Sequence, residues 1–92
     1  MRFRRSLFWD VNVKKLDLRK DRHFIVHRIL SYGTMDDTRE LLKVYGKKNV
    51  RKEFFEPQPG LYYPNILELC KHILGIKKID KKKYLKNIYE VL

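Results

Sequence analysis

Residues 16–46 read LDLRKDRHFIVHRILSYGTMDDTRELLKVYG, two candidate helices in tandem, each closed by a glycine. In the first, Asp17 is a good N-cap, Leu18, Ile25, Ile29 and Tyr32 fall on one stripe, and Val26 and Leu30 widen it. Gly33 suits the left-handed position just past a helix end. The second helix begins at once, with Thr34 as N-cap and with Asp36 and Asp37 in the first turn, where negative charge meets the positive end of the helix dipole. Thr38, Leu41, Leu42 and Tyr45 share one of its faces before Gly46 ends it. Two glycine stops about one helix apart predict an antiparallel helical hairpin.

Downstream, KKNVRKEFFE at 47–56 predicts a short third helix with Val50 and Phe54 at i and i+4, stopped by PQPG at 57–60. Residues 61–63 are expected to be extended, because a residue before proline avoids the α region. Pro64 suits the first turn of a fourth helix carrying Ile66, Leu67, Cys70, Ile73 and Leu74 up to Gly75. Asp80 caps a fifth, KKKYLKNIYEVL, with Tyr84, Leu85, Ile88, Tyr89 and Leu92 on an apolar side and Lys81, Lys82, Lys83 and Lys86 on the other. Upstream, LFWDVN at 7–12 reads as a strap. The stripe of the first helix is wider than one neighbouring helix covers, so Leu7, Phe8 and Trp9 are expected across it, in the core. Asp10 is then a structural residue, a turn or cap, or an ion-pair partner of Arg28 or Arg5. The expected fold is all-α, one domain: a basic arm at 1–6, a compact bundle of four or five short helices with a core over 7–75, and a basic amphipathic C-terminal helix over 79–92.

Size and charge bound the function. Ninety-two residues are near the lower end of what closes a single hydrophobic core, and the 43% hydrophobic content, with one tryptophan, six tyrosines and five phenylalanines, argues against global disorder. Cys70 is the lone cysteine, which excludes an intramolecular disulfide. No apolar run approaches the ~20 residues of a membrane span, and the arginine-led start lacks the apolar region of a signal peptide, so a soluble, cytoplasmic protein is expected. The net charge of +11 favours an anionic partner, nucleic acid or an acidic protein, although lysine-rich surfaces also serve solubility.

Catalytic and metal chemistry find little support. His23 and His27 are spaced like the zinc ligands of HExxH, but Phe, Ile and Val stand between them, with no general base and no further ligand nearby. They are expected to flank the buried stripe, His23 pairing with Asp17 or Asp21. Cys70 reads as a small hydrophobe, and there is no phosphate loop, nucleophile elbow or Ser/His/Asp set, so neither an enzyme nor a cofactor is expected. The basic residues, by contrast, are grouped: Arg2, Arg4 and Arg5; then Lys47, Lys48, Arg51 and Lys52; then Lys77, Lys78, Lys81, Lys82, Lys83 and Lys86. The middle group follows Gly46 between two helices, as in a helix-turn-helix. Leu42 and Lys52 depart from that motif, which wants a small residue and a buried aliphatic at those positions. Phosphate contacts need no such geometry. Exposed Tyr62, Tyr63 or Tyr84 stacking on bases is a further expectation for a nucleic-acid binder.

The residues LFWDVN, Leu16 and Asp17, HFIVHRILSYG and LLKVYGKKNVRK resemble a family of small bacterial proteins known as a domain of unknown function. The resemblance covers residues 7–54 and extends weakly through ILELCKHILGI. Such chains resemble the small partner encoded beside nucleotidyltransferase-type toxins. This implies an antitoxin-like or defence-operon accessory protein, with a toxin-like protein and DNA or RNA as partners. Leu85, Ile88, Tyr89 and Leu92, spaced for helix-in-groove docking, would then meet the partner protein.

Overall fold

Four α-helices form among the described residues, which in this computed structural model are 3, 5–57 and 60–85: α1 (Arg22–Tyr32), α2 (Met35–Tyr45), α3 (Lys47–Phe54) and α4 (Pro64–Leu74). They make the expected all-α bundle, and a bridge between Tyr62 and Leu85 is its one extended pairing among the described residues.

The hairpin signal at Thr34 is realised as a full capping box. The Asp37 N–H donates to Thr34 Oγ1 at 3.3 Å, and the Thr34 N–H donates to the Asp37 carboxylate at 2.7 Å. Gly33 differs from expectation. It is extended, with φ −79° and ψ 167°. Space rather than backbone freedom requires glycine there, because a Cβ would lie 2.6 Å from the Ile29 carbonyl oxygen and 2.9 Å from Asp37 Cβ. Gly46, at φ 82° and ψ 147°, does use a conformation essentially reserved for glycine, and this single residue both ends α2 and starts α3.

α1 starts at Arg22, later than Asp17 implied. The Asp17 carboxylate accepts the N–H groups of Arg19 at 2.7 Å and Lys20 at 2.9 Å, which completes one isolated turn. Asp21 then bends the chain at φ −99° and ψ 18°, and its carboxylate accepts the Asp17 N–H at 2.8 Å. Leu18 falls on this turn and is exposed. From Ile25 to Ser31 every residue of α1 is buried, because α2, α3, α4 and the N-terminal turn pack around it. Ile25, Val26 and Ile29 meet Leu41 of α2, Val50 and Phe54 of α3, and Leu67 and Leu74 of α4 in one core.

The strap is a 3-10 turn at Arg5–Phe8, which places Leu7 and Phe8 in that core together with Phe3. Trp9 is corrected: it is 65% exposed. The turn carries its ring past the core to Arg28, whose guanidinium lies 4.6 Å from the indole centroid, with the Tyr32 ring edge-on at 5.5 Å. Tyr32, expected on the buried stripe, is likewise exposed. Asp10 has the structural role foreseen for it. Arg28 donates two hydrogen bonds to the carboxylate, at 2.7 and 3.0 Å, and a third to the Leu7 carbonyl at 3.1 Å. That fork holds the Asp10 carboxyl below its ordinary pKa.

The fifth helix does not form over the described part of 79–92. Lys81–Lys83 make only a 3-10 turn, after which the Tyr62 N–H donates to the Tyr84 carbonyl at 3.0 Å. The Tyr84 ring stacks on Phe54 at 4.9 Å, and this buried anchor pulls the chain out of helical register. Leu85 therefore packs against the core instead of presenting a helix face. Lys86, Ile88, Tyr89 and Leu92 lie outside the described residues.

The two strap aromatics should separate on mutation. Phe8→Ala should cost about 3–5 kcal/mol as a core truncation, whereas Trp9→Ala should cost about 1 kcal/mol, the worth of an exposed cation–π contact; urea unfolding midpoints measure both.

Candidate nucleic-acid interface

An isolated helix shorter than ~12–15 residues is marginal in water, so the eight residues of α3 must be held by their surroundings. Its C-terminal carbonyls lack intrahelical partners, and side chains from elsewhere supply them. The Tyr84 hydroxyl donates to the Phe54 carbonyl at 2.8 Å. His27 Nε2 lies 2.9 Å from the Glu53 carbonyl and 2.8 Å from that of Glu56, while His23 Nε2 reaches the Glu56 carbonyl at 2.7 Å. Carbonyls only accept, so the His27 proton sits on Nε2, and Nδ1 accepts the Tyr62 hydroxyl at 2.8 Å. Arg22 adds an ion pair to the Glu53 carboxylate at 2.9 Å. His23 thus pairs with Glu56, not with Asp17 or Asp21.

Burial lowers the His27 pKa below 6.5, outweighing the hydrogen bonds to backbone carbonyls that favour the charged ring. Burial also raises Tyr62 well above its ordinary value and pushes the Cys70 thiol to about 12. The Cys70 thiol donates to the Leu30 carbonyl at 3.6 Å. Among the described residues no group of three or more His, Cys, Asp or Glu side chains is placed to hold a metal ion.

Val50, Glu53 and Phe54 are the buried positions of α3, and their burial fixes its rotation. Lys47, Lys48, Arg51 and Lys52 consequently all face solvent, and with Phe55 they line an open hollow of about 600 Å³. None of the four forms an ion pair with another described residue. A smaller hollow of about 160 Å³ also has Phe55 in its lining, together with Pro57, Lys78, Ile79, Lys83 and Tyr84, and with Asp80 as its acidic member. Lys81, Lys82 and Lys83 are exposed on their turn, although Lys81 is engaged by Glu68 at 2.8 Å. Phe55 thus lines one hollow with the middle basic group and another with Lys78 and Lys83 of the last. Arg2, Arg4, Lys86 and the Arg5 side chain lie outside the described residues.

Two expectations are revised. Tyr62 and Tyr84 are buried and cannot stack on bases; Tyr63 is exposed. Phe55, 49% exposed at the end of α3, was not singled out. The FFE run held the signal, since Phe54 shares the buried face with Val50 and its immediate neighbour must turn away from that face. Lys52 is exposed and the turn between α2 and α3 is one residue, both unlike a DNA-reading helix-turn-helix, whose turn takes about 3–4 residues.

Residues 3–54, more than half of the chain, match a family of unknown function (DUF6922). The chain belongs to this family. No curated protein and no solved structure matches it. The DUF6922 portion takes in the strap, the Arg28 fork, both histidines and all of α3, whereas Tyr62, α4 and Tyr84 lie beyond it. No helix among the described residues of this DUF6922 protein is long and apolar enough to cross a membrane.

A lowered histidine pKa sets a sign. The unfolded chain takes up a proton near pH 6.5 that the folded chain refuses, so stability is complete above that pH and declines as pH falls below it. Urea midpoints should drop between about pH 7.5 and about pH 5.5 in the wild type. His27→Leu should abolish most of that drop while costing about 2–4 kcal/mol at the higher pH, because it strands the buried Tyr62 hydroxyl and removes one donor each from the Glu53 and Glu56 carbonyls.

Proposed function

We propose that this DUF6922 protein is a non-catalytic nucleic-acid-binding protein whose contact surface is the outer face of α3, extended by the lysines of the 77–83 segment. The observation that carries the reading is the rotation of α3, which turns Lys47, Lys48, Arg51 and Lys52 outward together, with no described acid paired to them. Grouped, unneutralised cations release counterions when they meet phosphates, and the net charge of +11 adds long-range attraction. The absence of a catalytic role fits the state of the candidate reactive groups. Cys70 is buried with its thiol pushed to about 12, and the Nε2 atoms of His23 and His27 are both taken up by backbone carbonyls.

An antitoxin-like or defence-operon role belongs to the same proposal, since such proteins combine nucleic-acid contact with binding of a partner protein. The partner surface assigned to Leu85, Ile88, Tyr89 and Leu92 gains no support from Leu85, which is packed against the core.

Binding to mixed-sequence DNA or RNA should weaken steeply with salt, with a log–log slope of about −3 to −4 if some four phosphates are contacted. Arg51→Glu with Lys52→Glu should lower affinity at least about tenfold and flatten that slope while leaving the melting temperature nearly unchanged, because both side chains are exposed. Salt-independent binding, or none at low salt, would contradict the proposal.

A further inference from the structure

We infer that the nucleic acid this surface takes is single-stranded, with one base stacked on the ring of Phe55 and its flanking phosphates held by the basic residues of the two hollows that Phe55 lines. The inference rests on the nucleic-acid reading above and adds which strand form is bound, and by which residue.

Phe55 differs from the other described phenylalanines. Phe3, Phe8 and Phe54 are buried and Phe24 is half-buried, while Phe55 leaves 49% of its surface in water. Its ring stands edge-on to the buried ring of Phe54 at 6.4 Å and 64°, so part of its apolar surface meets the core. Its place matters as much as its exposure. Phe55 is shared by both hollows, with Lys48, Arg51 and Lys52 around the larger one and Lys78 and Lys83 around the smaller. Residues far apart in the chain thus set cations around a single exposed aromatic side chain.

Two cation-bearing hollows that share one aromatic residue suit a backbone with a base between successive phosphates. A duplex offers phosphates to the lysines but keeps its base faces stacked inside, leaving the ring without a partner. A single strand exposes those faces, and stacking on an aromatic side chain is tolerant of base identity. An acidic peptide would use the cations too, but it meets the ring only where its sequence supplies an aromatic, whereas every nucleotide of a single strand brings a planar base.

The test uses the full chain with a fluorescently labelled oligothymidylate of about ten nucleotides and a labelled duplex of equal length, read by anisotropy at one low salt concentration. Phe55→Ala should weaken oligothymidylate binding about tenfold, leave duplex binding within about twofold and keep the salt slope, whereas Phe55→Tyr should bind both like the wild type. Unchanged oligothymidylate affinity in Phe55→Ala, or equal losses on both probes at an unaltered melting temperature, would overturn the stacking inference while leaving phosphate binding intact. Wild-type protein that binds neither probe would remove the underlying function and this inference with it.

Discussion

A neutral imidazole buried in the middle of α1 holds the end of α3. His27 points one ring nitrogen at the carbonyls of Glu53 and Glu56 and the other at the Tyr62 hydroxyl, which joins three separate segments through one side chain. α3 is too short to persist alone, and the orphan carbonyls at its terminus are what a helix end must satisfy before it can be buried. With His27, His23 and Tyr84 supplying those bonds, the Val50 and Phe54 face settles onto α1, and the four basic residues on the opposite face are left in solvent. The functional surface is in this sense a consequence of core hydrogen bonding.

The Arg28 fork plays the matching part at the N-terminus. An arginine in the buried stretch of α1 has to be paired, and Asp10, the Leu7 carbonyl and the faces of Trp9 and Phe24 surround its guanidinium. The FWD run is therefore three jobs in sequence: Phe8 fills the core, Trp9 covers a charge and Asp10 neutralises it. Both polar clusters are built on α1, from the adjacent residues His27 and Arg28, so the most buried helix of the bundle is also the one that orients everything around it.

Much of this was legible in the residues. The capping box at Thr34, the Gly46 break and the Pro64 start of α4 follow from short-range chemistry, where side chain and backbone partner are close in sequence. For Asp10 the sequence left a turn, a cap, Arg28 and Arg5 open, and the fold selects Arg28. What was hidden depended on distant contacts. Asp17 caps a turn as its type suggests, yet the bend at Asp21 moves the helix start, and no periodicity reports that. Trp9 looks like core by hydrophobicity alone; only the buried guanidinium beside it explains its exposure. Lys81 to Leu85 has a helical pattern that loses to the anchoring of Tyr84 on Phe54, a contact between segments thirty residues apart. Phe55 is the converse case, an apolar side chain displaced from the core because its neighbour Phe54 already occupies the face that α3 buries.

The protonation state of His27 decides how the end of α3 is held, and nitrogen-15 NMR of the histidine rings reads that state directly. The structure requires a neutral ring with its proton on Nε2 and a bare Nδ1, staying neutral as pH falls through 6.5. A His27 ring that carries its proton on Nδ1, or that becomes imidazolium at the ordinary histidine pKa while the protein remains folded, would contradict it.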